Sequence, residues 1–259
     1  MKGLTSHFYL EEVTKAVLAC GKPYSKKDEA FLRDRYIKTK YKVYKINREK
    51  LKIRKKKGFS FSQLSDLEQA KIWSSIFKNT DYLSVGELAI AHFKSFQGKK
   101  NHLLIQYWPE LKRWVSKIEN WVHGDMLASL YCDMLSEDRD LVYPEIVKWS
   151  LSRSAWKNRM AILSLLLYYN PKRNLLPFDQ IISIVEPHLK KNHYYLQKAI
   201  GWNLRELSRA YPREYWEFIN SHLLDLSPVA FTTAVEKIQK EKKEQLKHMR
   251  KAARFDGKS

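Results

Sequence analysis

Cysteine is scarce in this chain: Cys20 and Cys132 are the only two among 259 residues. They lie far apart, inside apolar helical patterns and outside any CxxC or Cys/His spacing, so neither a disulfide framework nor a cysteine-ligated zinc is expected. Both read as reduced core thiols. Long apolar runs are missing as well. None approaches the roughly 20 residues needed to span a bilayer, and Glu11 and Glu12 come too early for a signal-peptide core, so the expectation is a cytoplasmic protein without a membrane span. Glycine and proline are sparse, with 8 of each. They fall between apolar-periodic segments rather than within them, as in helices joined by short loops. GxGxxG, P-loop, HExxH and GxSxG patterns are absent, which leaves the commonest nucleotide, zinc-peptidase and serine-hydrolase chemistries without support. His7, His92, His102, His123 and His193 are scattered and read as surface or packed residues rather than ligands.

What the chain does have is apolar content of 44%, enough for a sizeable core, and a surplus of positive charge. Lys and Arg total 48 against 28 Asp and Glu, a formal net charge of +20. Each basic contact to a polyanion releases counterions, so nucleic acid is the first partner to consider. The tract from Lys38 to Phe61 interleaves cations with Tyr41 and Tyr44, just after Tyr36. It is ambiguous between a solvated basic surface and a phosphate-contacting one, and its secondary structure is equally open.

The pattern predicts an all-α chain. A first helix is expected over about 6–20, ending at Gly21 and Pro23. Capping-box spacing marks helix starts at Ser65 with Glu68 and at Ser84 with Glu87. Ser227 followed by Pro228 predicts an N-cap with proline at the first helical position, opening one long final helix that turns basic after Glu236. Between these, paired helices are expected at 126–135 with 140–152, 155–169 with 177–190, and 193–210 with 213–222. The step is close to the roughly 40-residue period of HEAT-like repeats, although the residues do not visibly repeat. Such repeats stack into a solenoid whose concave face accommodates an extended ligand. A single domain over 1–259 is expected, with a basic segment at 38–61 and a basic final helix over 228–254.

Three segments carry chemistry. On a helix, Leu196, Ile200, Leu204 and Leu207 share one face, while Lys198, Trp202, Arg205 and Arg209 follow i, i+4, i+7 and i+11 on another. The second stripe places cations around an indole, suited to a nucleic-acid backbone and equally to an ordinary exposed face. The stretch Ser154-Ala155-Trp156-Lys157-Asn158-Arg159 opens a helix that is apolar almost all round from Met160 to Tyr169 and must be buried. Arg159 at its mouth either pairs with a protein group or holds a phosphate, since its planar fork suits both. Trp121 and Asp125 stand four apart. If the backbone stays helical across Gly124 they share a face; if it breaks there, Asp125 is an N-cap.

These segments, in this order, resemble the AlkD-type DNA alkylation-repair family: Trp-x-x-x-Asp, then Trp-x-x-Arg-Met-Ala-Ile, then Gln-Lys-Ala-Ile-Gly-Trp-x-Leu-Arg-Glu. The similarity covers about residues 60–250. It implies a HEAT-like helical solenoid with double-stranded DNA on its concave face. The implied activity is that of a glycosylase, needing neither metal nor other cofactor and expected to be monomeric, that releases alkylated, cationic purines from DNA. By the same resemblance Asp125 is the catalytic aspartate and Arg159 a backbone-binding arginine. Trp121 and Trp202 are aromatic walls of the cleft, with Trp156, Lys198 and Arg205 beside the DNA. Val122-His123-Gly124 departs from the double tryptophan and second acidic residue of many members, which bears on substrate range.

The chemistry matches this thin inventory. Cleavage of the N-glycosidic bond builds positive charge on the sugar, which a nearby carboxylate stabilises. Alkylation at the purine 3- or 7-position already makes the base a good leaving group. Two rival readings share the fold: a non-catalytic protein recognising damaged or branched DNA, and a scaffold for other proteins.

Overall fold

A computed structural model describes residues 2–98, 100–166 and 176–256. The fold is an all-α helical repeat, 73% helical, with 15 α-helices among the described residues. The chain divides into two compact units, residues 1–130 and 131–259.

The first unit opens with α1 (Lys2–Leu18), followed by α2 (Lys26–Ala30), which runs directly into a π-helical turn, Phe31–Tyr36. Two short strands, β1 (Gly21–Lys22) and β2 (Lys45–Ile46), pair antiparallel. Then come α3 (Arg48–Lys56), α4 (Asp66–Asn79), α5 (Leu83–Lys94), α6 (Asn101–Gln106), α7 (Trp108–Leu111) and a 3₁₀ segment, Lys112–Lys117. The unit ends within α8 (Trp121–Glu137). Aromatic rings fill its core: Phe77 stacks on Trp114 with centroids 3.9 Å apart, and Phe93 meets the same indole edge-on at 5.2 Å. The buried indole N–H of Trp114 donates to the Ser74 hydroxyl at 3.2 Å, so this packing leaves no orphan donor.

In the second unit, α9 (Arg139–Ser150), α10 (Ala155–Ser164), α11 (Phe178–Val185) with a 3₁₀ turn, α12 (Tyr194–Ala210), α13 (Pro212–Ser221), α14 (Pro228–Ala234) and α15 (Lys240–Asp256) follow in order. A repeat hidden from the residue string appears in its side-chain bonds. The Asn158 amide donates to the carbonyls of Trp149, Ser150 and Ser152, closing the end of α9. The Gln197 amide donates to His188, Leu189 and Lys191, at the same three sequence offsets. The helix starts match too: Ser154 caps α10 and His193 caps α12 through side-chain acceptors. Each amide satisfies carbonyls that a helix end otherwise leaves unbonded. The step between the two motifs is about 40 residues, the HEAT-like period. Gly201 permits the close packing of α12 on α14, because a Cβ there would lie 2.5 Å from the Ala230 carbonyl oxygen.

Several local expectations are corrected. Ser65 and Glu68 form a complete capping box, but Ser84 does not cap: α5 already begins at Leu83 after Tyr82, and Glu87 pairs instead with Arg48. The first helix stops at Leu18, because Gly21 and Lys22 are drawn into the strand pair. Ser227 and Pro228 do open a helix, yet it ends at Ala234 and the basic stretch forms a separate helix from Lys240. The helix expected from 126 starts at Trp121. The one expected over 155–169 is seen to Ser164, and residues 167–169 lie outside the described residues. The ambiguous 38–61 tract contains both β2 and α3. Cys20 and Cys132 are both buried, as expected of core residues.

Candidate functional site

At the head of α8, the fully buried Asn120 accepts the His123 backbone N–H at 2.9 Å through its side-chain oxygen. The helix start is thereby closed by Asn120, and the backbone continues helically across Gly124. Asp125 is not an N-cap; it is half-buried in the second turn, one turn above Trp121 on the same face, with Cβ atoms about 6 Å apart for such a pair.

Trp121 is held firmly. Its indole N–H donates to the Tyr36 carbonyl at 3.2 Å, and its ring meets Tyr36 edge-on at 5.7 Å. Tyr36 in turn stacks on Phe31 at 6.2 Å, and both rings are 54% exposed. The result is an accessible aromatic platform beside the turn that carries Asp125. Glu119 secures the segment after Tyr36: it accepts the Thr39 hydroxyl and the Lys40 backbone N–H, the latter at 2.9 Å. Lys38 sits within this tether at φ 57°, in the left-handed region that costs a non-glycine residue about 1 kcal/mol or more. A π-helical turn and a strained residue are features that recur at functional sites.

The departure at 122–124 has a packing role. His123 is fully buried, its Nε2 lies 2.8 Å from the Leu83 carbonyl, and its ring meets Tyr41 edge-on at 4.9 Å. Burial holds the imidazole below its ordinary pKa, so the neutral ring carries its proton on Nε2, toward that carbonyl. Gly86 makes room for it, since a Cβ there would lie 2.5 Å from the ring. Val122 packs on Ile37, Val43 and Leu83. The Tyr41 hydroxyl is pushed up to about 12 by burial and by the neighbouring Glu119 and Asp81.

The remaining predicted residues belong to the second unit. Trp156 stacks on Tyr195 at 5.4 Å and meets His193 edge-on at 5.5 Å. Arg159 is 3% exposed and donates to the Tyr195 carbonyl at 2.5 Å, tying α10 to the first turn of α12. Leu196, Ile200, Leu204 and Leu207 are fully buried, so the apolar stripe of α12 faces inward. On the other stripe, Lys198 and Arg209 are exposed while Trp202 and Arg205 are half-buried. The Arg205 guanidinium lies 5.7 Å from the Trp202 ring centre and pairs with Glu206 at 3.2 Å and Glu236 at 2.6 Å. The Arg205 hydrogen bond holds the Glu236 carboxyl below the usual range. Arg205 therefore brings little net positive charge to the surface, and Lys198 and Arg209 are the exposed cations of the stripe. The structure groups Trp121 with Asp125, Trp156 with Arg159 through Tyr195, and Trp202 with Arg205.

The family model for DNA alkylation repair enzymes matches residues 23–238, most of the chain. The chain belongs to the DNA alkylation repair enzyme family. A solved structure described as a predicted DNA alkylation repair enzyme from Enterococcus faecalis shares the fold: TM-score 0.62 and 18% identity, covering 85% of this chain and 99% of that one. Curated proteins yield no sequence match. Membership gives this DNA alkylation repair enzyme its role, the repair of alkylated DNA, and DNA as its substrate. Among the described residues, no group of three or more His, Cys, Asp or Glu is placed to hold a metal ion, and no helix is long and apolar enough to cross a membrane.

Phe31, Tyr36, Glu119 and Asn120 were not singled out as site residues from the sequence. Tyr36 was visible at the edge of the basic, tyrosine-rich tract, and Asn120 as a favoured N-cap residue type directly before Trp121. The apposition of Tyr36 to Trp121 joins residues 85 positions apart.

Proposed function

We propose that this DNA alkylation repair enzyme is a DNA glycosylase that hydrolyses the N-glycosidic bond of 3- or 7-alkylpurines in double-stranded DNA. Asp125 is the catalytic carboxylate. The carrying observation is that Asp125 lies on an unbroken helix, on the Trp121 face, with the capping duty performed by Asn120.

The bond between the deoxyribose C1′ and the purine nitrogen breaks with its electron pair leaving on the base, which neutralises the alkylated ring and makes a general acid unnecessary. The sugar becomes an oxocarbenium-like cation, whose charge the Asp125 carboxylate stabilises more than it stabilises the intact nucleotide. Water then adds to C1′ and loses its proton. Trp121, backed by Tyr36 and Phe31, presents an apolar surface that excludes bulk water from the carboxylate. In the second unit, the exposed Lys198 contacts the DNA backbone, with the Trp202 indole one turn along the same helix face. Trp156, Arg159 and Arg205 act by holding that surface in shape, a role supported by the bonds each makes within the protein. Release of 7-methylguanine from methylated duplex DNA, compared between wild type and Asp125→Asn, tests the proposal.

A further inference from the structure

The second unit contains a groove that none of this chemistry uses. α14 and α15 line a cavity of about 510 Å³, within the roughly 300–1,000 Å³ typical of small-molecule sites. Pro228, Phe231 and the exposed Thr232 supply one side, and Lys247, Arg250, Lys251 and Arg254 the other. On α15, Lys247, Lys251 and Arg254 follow i, i+4 and i+7, so they share one face.

Arg250 is the fixed base of the groove. It is 5% exposed, and its two terminal nitrogens donate to the Leu223 and Leu226 carbonyls at 2.5 Å each. Its guanidinium lies 4.5 Å from the centre of the Phe231 ring. Burial, with Arg254 nearby, pushes its pKa down to about 10, so it remains charged at neutral pH. Among the described residues, no carboxylate lines the groove. Glu244 pairs with Lys247 at 2.8 Å from outside the groove, whereas Arg254 sets a second positive charge near the buried Arg250. Such an arrangement opposes folding through mutual repulsion and is relieved by an anion.

We propose that this groove binds a nucleoside phosphate, with the phosphate between Lys251 and Arg254 and the nucleoside along Pro228 and Phe231. A concave cavity with an apolar wall and a cationic rim suits a ligand that is part anion and part flat ring. The bases of a duplex are paired and stacked and offer only their backbone to such a site. The ligand is therefore a free mononucleotide or the unpaired terminal nucleotide of a DNA strand.

Isothermal titration of the full chain with dAMP, deoxyadenosine, inorganic phosphate and a 5′-phosphorylated thymidine decamer tests this. Expected are one dAMP site, no measurable binding of deoxyadenosine, and phosphate binding at least about tenfold weaker than dAMP. Lys251→Ala with Arg254→Ala should weaken dAMP at least about tenfold. Thr232→Trp, which fills the groove and removes no cation, should weaken it similarly, with circular dichroism verifying that both variants are folded. A decamer that binds tighter than dAMP and is weakened by both groove variants assigns the site to strand ends, and a decamer that binds weaker assigns it to free nucleotides; a tighter decamer unaffected by the variants binds elsewhere and overturns the strand-end assignment. Absence of dAMP binding, equal binding by either folded variant, or phosphate binding as tightly as dAMP overturns it.

Discussion

Replacing Asp125 by asparagine removes one negative charge while preserving side-chain size and its place on α8. At about 4 Å, a unit charge pair is worth about 1 kcal/mol in water and about 4 kcal/mol at an effective dielectric near 20. Asp125 is half-buried beside the Trp121 platform, so its environment lies toward the second value. The charge on the sugar exists chiefly in the transition state, so the loss falls on the rate rather than on binding. A loss of about 3 kcal/mol corresponds to a rate about 100-fold lower. The assay is single-turnover release of 7-methylguanine from a methylated duplex, with fluorescence anisotropy on the same duplex reporting affinity. The expected outcome is an affinity within about threefold of wild type and a rate reduced by about two orders of magnitude. A variant that releases base within about threefold of the wild-type rate would show that Asp125 does not carry the chemistry.

Lys198→Ala should weaken duplex binding without sequence preference and reduce the salt slope by about one unit, as for loss of one phosphate contact; an unchanged slope places the DNA elsewhere. Arg205→Ala, by contrast, strands the buried Glu206 and should lower unfolding free energy by about 3 kcal/mol, with Glu206→Gln in the same chain restoring much of it. If urea unfolding gives Arg205→Ala wild-type stability, the ion pair is not structural. Gly201→Ala forces a Cβ toward the Ala230 carbonyl and should cost about 2 kcal/mol despite alanine's better helix propensity, a Tm drop of roughly 4–8 °C; a thermal melt with no drop contradicts the packing of α12 on α14. His92 and His188 are both held at about 4 against an ordinary 6.5, in each case first by burial. The unfolded chain thus takes up these protons as pH falls through about 6.5, before the folded chain does, and stability declines from there toward pH 4. Between about pH 7 and about pH 5 the loss should be about 2 kcal/mol from His92 alone, with His188 and the buried His123 adding to it, and His92→Phe should shrink the drop in urea unfolding free energy by about that amount while leaving the remainder. An equal drop in that variant would assign the pH dependence to other groups.

The sequence by itself determined the helical class, the apolar faces and the family. Apolar spacing in Leu196, Ile200, Leu204 and Leu207 is a local property of a helix, and the structure buries all four. Capping at Ser65 and Ser227 was legible for the same reason, because donor and acceptor lie within one turn. At the head of α8 two residues, Asn120 and Asp125, are equally local candidates for the cap, and only the tertiary structure chose Asn120 and left Asp125 in the second turn. It also separated Lys198, which faces solvent, from Arg159 and Arg205, which spend their hydrogen bonds inside the protein. A spacing pattern specifies which residues share a helix face. It carries no information about carbonyls and carboxylates brought in from other helices, such as Tyr195 and Glu236, and those partners decide whether a cation is available to a phosphate. The Asn158 and Gln197 motifs make the same point, for two different side chains perform one bonding pattern that residue identity conceals.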